Sequence, residues 1–328
     1  MKGALRAGSS CVLVLVAGCD GAQSALDPAG HSGERLADLF WLLTAGTLVI
    51  WAVAVALWVW GVYFARRPLR PRERRWLLVG GGGILPVTLL AGVLTYSLAM
   101  LPDILESAPE GSLRVEVTGY QWWWRVRYIP PEGDPVESAN EVRLPVNEPV
   151  RFDLVSQDVI HSFWIPPLGG KMDMIPGRRN TLSLLPTETG TFRGTCAEYC
   201  GTSHALMALA VVVQEPEEFE RWLATERAAA ASPQGALEQR GEQAFLASGC
   251  GACHAVRGTP ADGSIGPDLT HVGGRMTLGA GTLPTSRASL RRFVAETERL
   301  KPGVRMPSFD MLPDADLDAI AAYLASLR

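Results

Sequence analysis

The sequence predicts a multi-domain protein in which a two-helix transmembrane hairpin is followed by an all-β sandwich and an all-α domain. Three patterns predict this fold class. Two long stretches near the N-terminus contain no charged residue, residues 111–214 alternate apolar and polar side chains between Pro and Gly clusters, and helical patterns follow residue 235. The 328 residues suffice for two or three domains, and a net charge of -4 excludes a strongly basic nucleic-acid binder.

Residues 1–18 are typical of an export signal of the bacterial lipoprotein type. Lys2 and Arg6 precede an apolar run that is too short to span a bilayer, and the run ends just before Cys19. We therefore expect a lipid anchor on Cys19, although Val16 stands where such signals usually have Leu. An ordinary signal peptide and an uncleaved tail are the alternatives.

The predicted hairpin covers residues 36–103, with membrane spans at about 39–64 and 76–101. Each span exceeds the ~20 residues that a helix needs to cross the hydrocarbon core, which disfavours the alternative of two buried core helices. The loop between the spans contains six arginines and is therefore expected in the cytoplasm. Both termini and the soluble domains are then expected on the periplasmic face of a bacterial inner membrane.

The predicted β region ends in a segment that is rich in metal ligands. Cys196, Cys200, His204 and Met207 lie within twelve residues, and His161 ends an earlier strand. A mononuclear blue-copper site uses two His, one Cys and a weak Met. The additional Cys allows two thiolates to bridge two coppers. A disulfide beside ordinary loop residues is one alternative, and a zinc site, which does not require Met, is another.

This pattern resembles the CuA motif of cytochrome c oxidase subunit II over roughly residues 36–222, together with the aromatic run 119–124 and the segment 171–178. The resemblance implies a cupredoxin-like Greek-key sandwich. It implies that two cysteines bridge the coppers, that each histidine binds one copper, and that a thioether and a backbone carbonyl complete the shells. The implied ligands are His161, Cys196, Glu198 (through its carbonyl), Cys200, His204 and Met207.

The same resemblance implies roles for residues outside the copper shell. The Glu198 side chain is expected to reach a magnesium ion at the interface with subunit I, and Trp122 matches the electron-entry aromatic, with core packing as the alternative. Asp173 and Arg178 match a segment that faces subunit I; a solvated loop is the alternative. The chain also departs from the family, because Val79 occupies the expected place of a Glu near a proton path.

The region after the sandwich reads as a helix and linker over residues 215–234, followed by an all-α domain over residues 235–328. We expect the linker to be flexible because of its Ala, Ser, Pro and Gly content. Cys250, Cys253 and His254 form the c-type haem attachment signature, in which two thioethers hold the haem and His binds iron. A chance match and a redox dithiol are the alternatives.

The sixth haem ligand is expected to be a methionine, and the candidates are Met306, Met276 and Met311. We choose Met306, because residues 306–309 resemble the axial segment of class I cytochromes c. The other two methionines are expected to be packing residues. His271 is expected to be structural or to lie beside the haem propionates.

Together, the two soluble domains are similar to subunit II of caa3-type oxidases. This resemblance implies that a small cytochrome c reduces haem c, that the electron passes to CuA, and that subunit I, assembled with subunit III, reduces O2 to water with proton translocation. The oxygen-reducing site is then in another subunit. The alternative is the equivalent CuA subunit of a nitric oxide reductase. A quinol oxidase subunit lacks the copper ligands, and a copper chaperone needs no haem domain.

Overall fold

The computed structural model describes residue 18 and residues 20–130 and 134–328. The predicted signal peptide, apart from residue 18, and the lipidation site Cys19 lie outside these residues. The chain forms two compact units. One is Glu34–Glu106, and the other joins the described residues up to Gly33 with Ser107–Arg328.

The first unit is a pair of long apolar helices. Their segments are α1 (His31–Val59), the π-helical Trp60–Phe64, α2 (Pro71–Arg75), the π-helical Trp76–Ile84 and α3 (Leu85–Ile104). Each continuous helix has 34 residues, roughly 50 Å at 1.5 Å per residue, and exceeds the hydrocarbon core of a bilayer. Arg35 and Asp103 form a 2.9 Å ion pair between the two helices. These helices confirm the two apolar N-terminal helices, and the chain is membrane-anchored.

The second unit begins with a sandwich of two five-stranded sheets. The strands are β1 (Leu113–Tyr120), β2 (Trp123–Ile129), β3 (Val136–Ala139), β4 (Glu141–Pro145), β5 (Val150–Ser156), β6 (His161–Trp164), β7 (Met172–Met174), β8 (Asn180–Leu184), β9 (Gly190–Cys196) and β10 (Ala208–Gln214). The sheet orders are β3-β2-β1-β5-β8 and β4-β10-β9-β6-β7. The chain changes sheet repeatedly, and alternating burial along β2 gives each sheet one face in the core. The predicted sandwich is confirmed.

The sandwich is extended by α4 (Pro216–Arg227), which packs Phe219 and Leu223 into the sandwich core. The linker that follows is held against the next domain. The Ala230 N–H donates to the Arg257 carbonyl at 2.9 Å, and a Cβ on Gly258 would lie 3.1 Å from the Ala229 side chain. The sandwich and the C-terminal domain therefore belong to one compact unit.

The C-terminal domain is helical, as predicted. Its elements are α5 (Ala236–Ala247), a 3-10 turn Cys250–Ala252, a 3-10 turn Val272–Gly274, the hairpin β11 (Thr277–Leu278) and β12 (Leu283–Pro284), α6 (Arg287–Ala295), α7 (Thr297–Leu300) and α8 (Asp314–Ser326). Helices α5 and α8 cross closely at Gly241, where a Cβ would lie 2.0 Å from the Ala319 carbonyl oxygen. The small hairpin is an element that sequence reasoning did not predict.

Candidate metal centre and haem attachment site

Two neighbouring strands and one loop bring the predicted copper ligands together. Strand β6 starts at His161 and pairs with β9, whose last residue is Cys196, so the two side chains lie at the same end of the sheet. The loop after β9 carries Cys200 and His204 and ends at Met207, just before β10. All of these side chains except His204 are buried, and His161 is 0% exposed.

The distances between ligand atoms are those of a single cluster. Cys196 Sγ lies 3.8 Å from Cys200 Sγ, 3.8 Å from His161 Nδ1 and 3.2 Å from the Glu198 carbonyl oxygen. Cys200 Sγ lies 3.4 Å from His204 Nδ1 and 3.8 Å from Met207 Sδ. The sulfur–sulfur distance is far above the ~2.0 Å of a disulfide.

This donor set fits a binuclear copper centre. Two thiols, two imidazoles, a thioether and a carbonyl converge on the space around two central sulfurs, and soft sulfur with imidazole selects copper. All six ligand positions implied by the sequence are therefore brought together. The burial of the cluster limits water access, which suits a redox centre.

Hydrogen bonds set the ionisation of the two cysteines. The thiol of Cys200 donates to Cys196, which lowers the pKa of Cys196 against the opposing effect of burial, and His161 adds to the lowering. The same interaction raises the pKa of Cys200, and burial raises it further. The cluster thus favours one thiolate by itself. The second thiolate requires the positive charge of bound metal.

Asp158 orients the copper ligand His161, and sequence reasoning missed it. His161 Nε2 donates to Asp158 Oδ1 at 2.8 Å, which directs Nδ1 to the sulfur cluster. Burial lowers the pKa of His161, but its hydrogen bonds with Cys196 and Asp158 raise it overall. A Cβ on Gly119 would lie 2.8 Å from the His161 ring. The signal available in the sequence was a carboxylate three residues before the histidine.

The other residues singled out in the sequence have distinct surroundings. Trp122 is 5% exposed, and its Nε1–H donates to the Cys200 carbonyl at 3.0 Å. Asp173 Oδ1 accepts bonds from Ser162 and Lys171. The Glu198 side chain is exposed, and within residues 20–130 and 134–328 it joins no cluster of three His, Cys, Asp or Glu ligand atoms.

The haem attachment signature follows α5 in a tight turn. His254 Nδ1–H donates to the Pro267 carbonyl at 2.8 Å, which leaves Nε2 available for iron. A Cβ on Gly266 would lie 2.5 Å from the His254 ring, so a glycine is required there. Burial lowers the pKa of His254, which favours the neutral imidazole that binds metal. Cys253 is exposed and Cys250 is half-buried.

The surroundings of the haem segment also fit a haem. Met306 is half-buried and packs against the core of the C-terminal domain, whereas Met276 and Met311 are 41% and 71% exposed. Arg275 is buried, and among the described residues its Nε–H has no acceptor. A haem propionate would supply such an acceptor. His271 Nε2 donates to the Ala228 carbonyl at 3.1 Å, which gives it a structural contact.

The fold and the two sites define a membrane-anchored redox protein in which a cupredoxin-like copper domain precedes a c-type haem domain. Comparison with known proteins agrees. Residues 131–214 match the family model "Cytochrome C oxidase subunit II, periplasmic domain", and residues 238–328 match the family model "Cytochrome c". The chain belongs to the cytochrome c oxidase subunit II family, with a cytochrome c domain fused to it. These domains imply CuA copper and haem c as cofactors.

Individual relatives carry the same name. Cytochrome c oxidase subunit 2 of Alkalihalophilus pseudofirmus is 38% identical over 67% of this chain, and that of Bacillus subtilis is 29% identical over 97% of this chain and 95% of the relative. The match spans 62% of the length of the Alkalihalophilus and Bacillus sp. PS3 relatives. The periplasmic domain of subunit II (CoxB) of Bradyrhizobium japonicum is 35% identical over 37% of this chain and 97% of that chain, with a TM-score of 0.35.

Proposed function

We propose that this chain is the electron-entry subunit of a haem-copper terminal oxidase. The observation that supports this most directly is the convergence of six copper-ligand groups in the same compact unit as a Cys-x-x-Cys-His haem segment. When bound, haem c and the copper pair supply one-electron chemistry, taking electrons from a small cytochrome c and delivering them to subunit I, where O2 is reduced to water with proton translocation.

The chain's own residues prepare the copper site. His161, Cys196, Cys200, His204 and Met207, with the Glu198 carbonyl, hold the metal. Four of these six residues come from β6, β9 or residues directly joined to β10, so the sheet restrains their positions. A rigid, buried donor set changes little when an electron arrives or leaves, which favours fast transfer.

At the haem site, Cys250 and Cys253 form the thioether bonds, and His254 is the iron ligand that the Pro267 carbonyl orients. Met306 is the proposed sixth ligand. Its partial burial against the domain core supports this choice over the more exposed Met311. A methionine ligand raises the haem potential, as a donor to a copper centre requires a potential that a cytochrome c can reach.

The finer parts of the proposal concern partners and anchors. The proposed partners are subunits I and III. The exposed Glu198 carboxylate is oriented outward beside the copper shell, and we propose that it completes a magnesium site whose other ligands come from subunit I. We also propose lipidation of Cys19 and entry of Trp122 into the electron path. With Val79 at the expected Glu position, the proton path must take its carboxylate from elsewhere.

The test is a reduced-minus-oxidised optical spectrum of the detergent-purified complex that copurifies with the full chain, combined with copper analysis. We expect haem c, haem a and CuA signals. Haem c with only b-type haem and non-haem iron would indicate a nitric oxide reductase, and absence of haem c would contradict the relay. Cys200→Ser is the matched variant, which should lose the CuA signal and keep haem c.

A further inference from the structure

A short segment of the haem domain, Lys301–Gly303, covers the loop that carries the copper ligands. We call this segment the clamp. Ser203 Oγ–H in the copper loop donates to the Pro302 carbonyl at 2.6 Å. The Lys301 ammonium donates to the Leu206 carbonyl at 2.7 Å and also to the Gly279 carbonyl of the haem domain. Both bonded loop residues are direct neighbours of copper ligands, so the clamp contacts the loop on each side of His204.

Lys301 is an unusual residue to find in this position. It is 2% exposed, and among the described residues it forms no ion pair with a carboxylate. Burial lowers its pKa to about 7, which shows the cost of removing the ammonium from water. Lysine is almost never fully buried without a charged partner. Only the two backbone carbonyls, one from each domain, offset this cost, which indicates that the side chain has a specific role in joining them.

Gly303 brings the clamp onto Trp122. Its φ of +81° lies in the region that favours glycine, and a Cβ there would lie 3.0 Å and 3.2 Å from Cη2 and Cζ3 of Trp122. The opposite side of the same indole donates to the Cys200 carbonyl. Trp122 therefore lies between the haem domain, three residues before Met306, and a bridging cysteine of the copper site. A soluble protein cannot reach the indole edge that Gly303 covers.

We propose that the clamp docks the haem domain on the copper loop in a fixed geometry. In this arrangement Lys301 is a positioning residue for the loop between Gly201 and Met207, and Trp122 is an internal contact between the two redox domains. A soluble donor then delivers its electron to the haem domain only. This inference rests on the proposed relay and deepens it, because it assigns the residues that hold the two redox sites together.

The experiment uses the full chain in detergent, loaded with haem c and copper. Lys301→Met keeps the apolar stem and removes the donors, and Gly303→Leu inserts a side chain against Trp122. The matched controls are Arg240→Met, an exposed cation of the haem domain paired with Asp316, and Gly111→Leu, where φ is +88° and no atom lies within 4 Å of a Cβ. The readouts are the haem-to-copper transfer rate after flash reduction, the CuA electron paramagnetic resonance spectrum, and hydrogen exchange of residues 201–207.

We expect both clamp variants to bind haem and copper, to slow transfer by about tenfold or more, and to increase exchange in the loop, because a lost charge-assisted bond weakens docking by about that factor. Both controls should match the parent chain. Unchanged transfer in Gly303→Leu overturns the inference whatever Lys301→Met does. If the parent chain itself shows no haem-to-copper transfer, the proposed relay fails, and the clamp fails with it. Transfer in the parent together with unchanged variants removes the clamp alone.

Discussion

Replacement of Asp158 by Asn tests how the copper ligand His161 is held. The Asp158 carboxylate accepts hydrogen bonds from His161 Nε2 at 2.8 Å, the Gln121 N–H at 2.7 Å and the Val159 N–H at 2.7 Å. Asn has nearly the same shape, but one of its two terminal groups donates rather than accepts. In Asp158→Asn, either the histidine or the Gln121 amide must therefore lose its acceptor, and the histidine also loses its charged partner.

The expected loss follows from the burial of the site. His161 is 0% exposed, so water cannot replace the missing acceptor. Loss of an outer-shell partner of a metal-binding histidine typically weakens metal binding by about 10- to 100-fold. That range corresponds to about 1.4–2.7 kcal/mol, which agrees with about 1.5–3 kcal/mol for one hydrogen bond to a charged group. We expect a loss of copper affinity within these limits.

The assay is a copper titration of the metal-free full chain against a competing chelator, followed through the CuA optical and electron paramagnetic resonance signals. Asp316→Asn is the matched control, because Asp316 is a carboxylate of the haem domain that pairs with Arg240. It should bind copper like the parent chain. An Asp158→Asn variant with parental affinity and an unchanged spectrum would refute the argument that this carboxylate orients His161.

Two further changes test the haem domain. Met306→Ala should lower the haem potential and open the sixth iron position, which a redox titration with optical spectra would detect; an unchanged potential would assign that ligand to another residue. Gly241→Ala should destabilise the domain by about 1–3 kcal/mol, because the new methyl group would lie 2.0 Å from the Ala319 carbonyl oxygen and would separate α5 from α8. Thermal unfolding measures this effect, and an unchanged melting temperature would show that the crossing can adjust.

Features that depend on local composition could be predicted from the sequence. The two apolar helices require only a long uncharged stretch, and the structure has them at His31–Phe64 and Pro71–Ile104. The alternation along β2 predicted a half-buried strand, and the structure shows one. The hairpin of β11 and β12 was missed, since each strand has only two residues and carries no periodic signal.

The ligand set of the copper site was also accessible from the sequence, because most of it lies in one loop. Cys196 to Met207 lie close in space since they are close in the chain, and only His161 had to be brought in by sheet pairing with β9. Asp158 could not be assigned in this way. Its role depends on the direction of the His161 ring, which the packing against Gly119 and the turn before β6 determine.

The sequence by itself determined the membrane helices, the sandwich, the identity of the copper ligands and the haem attachment residues, because each of these is encoded by residue type at short spacing. Only the tertiary structure decided how the two redox domains meet. Sequence reasoning expected a flexible linker, whereas Ser203 and Pro302 are bonded across 99 positions, and Lys301 and Leu206 across 95. Such contacts leave no periodic pattern, because they form only when two finished surfaces pack and exclude water between them.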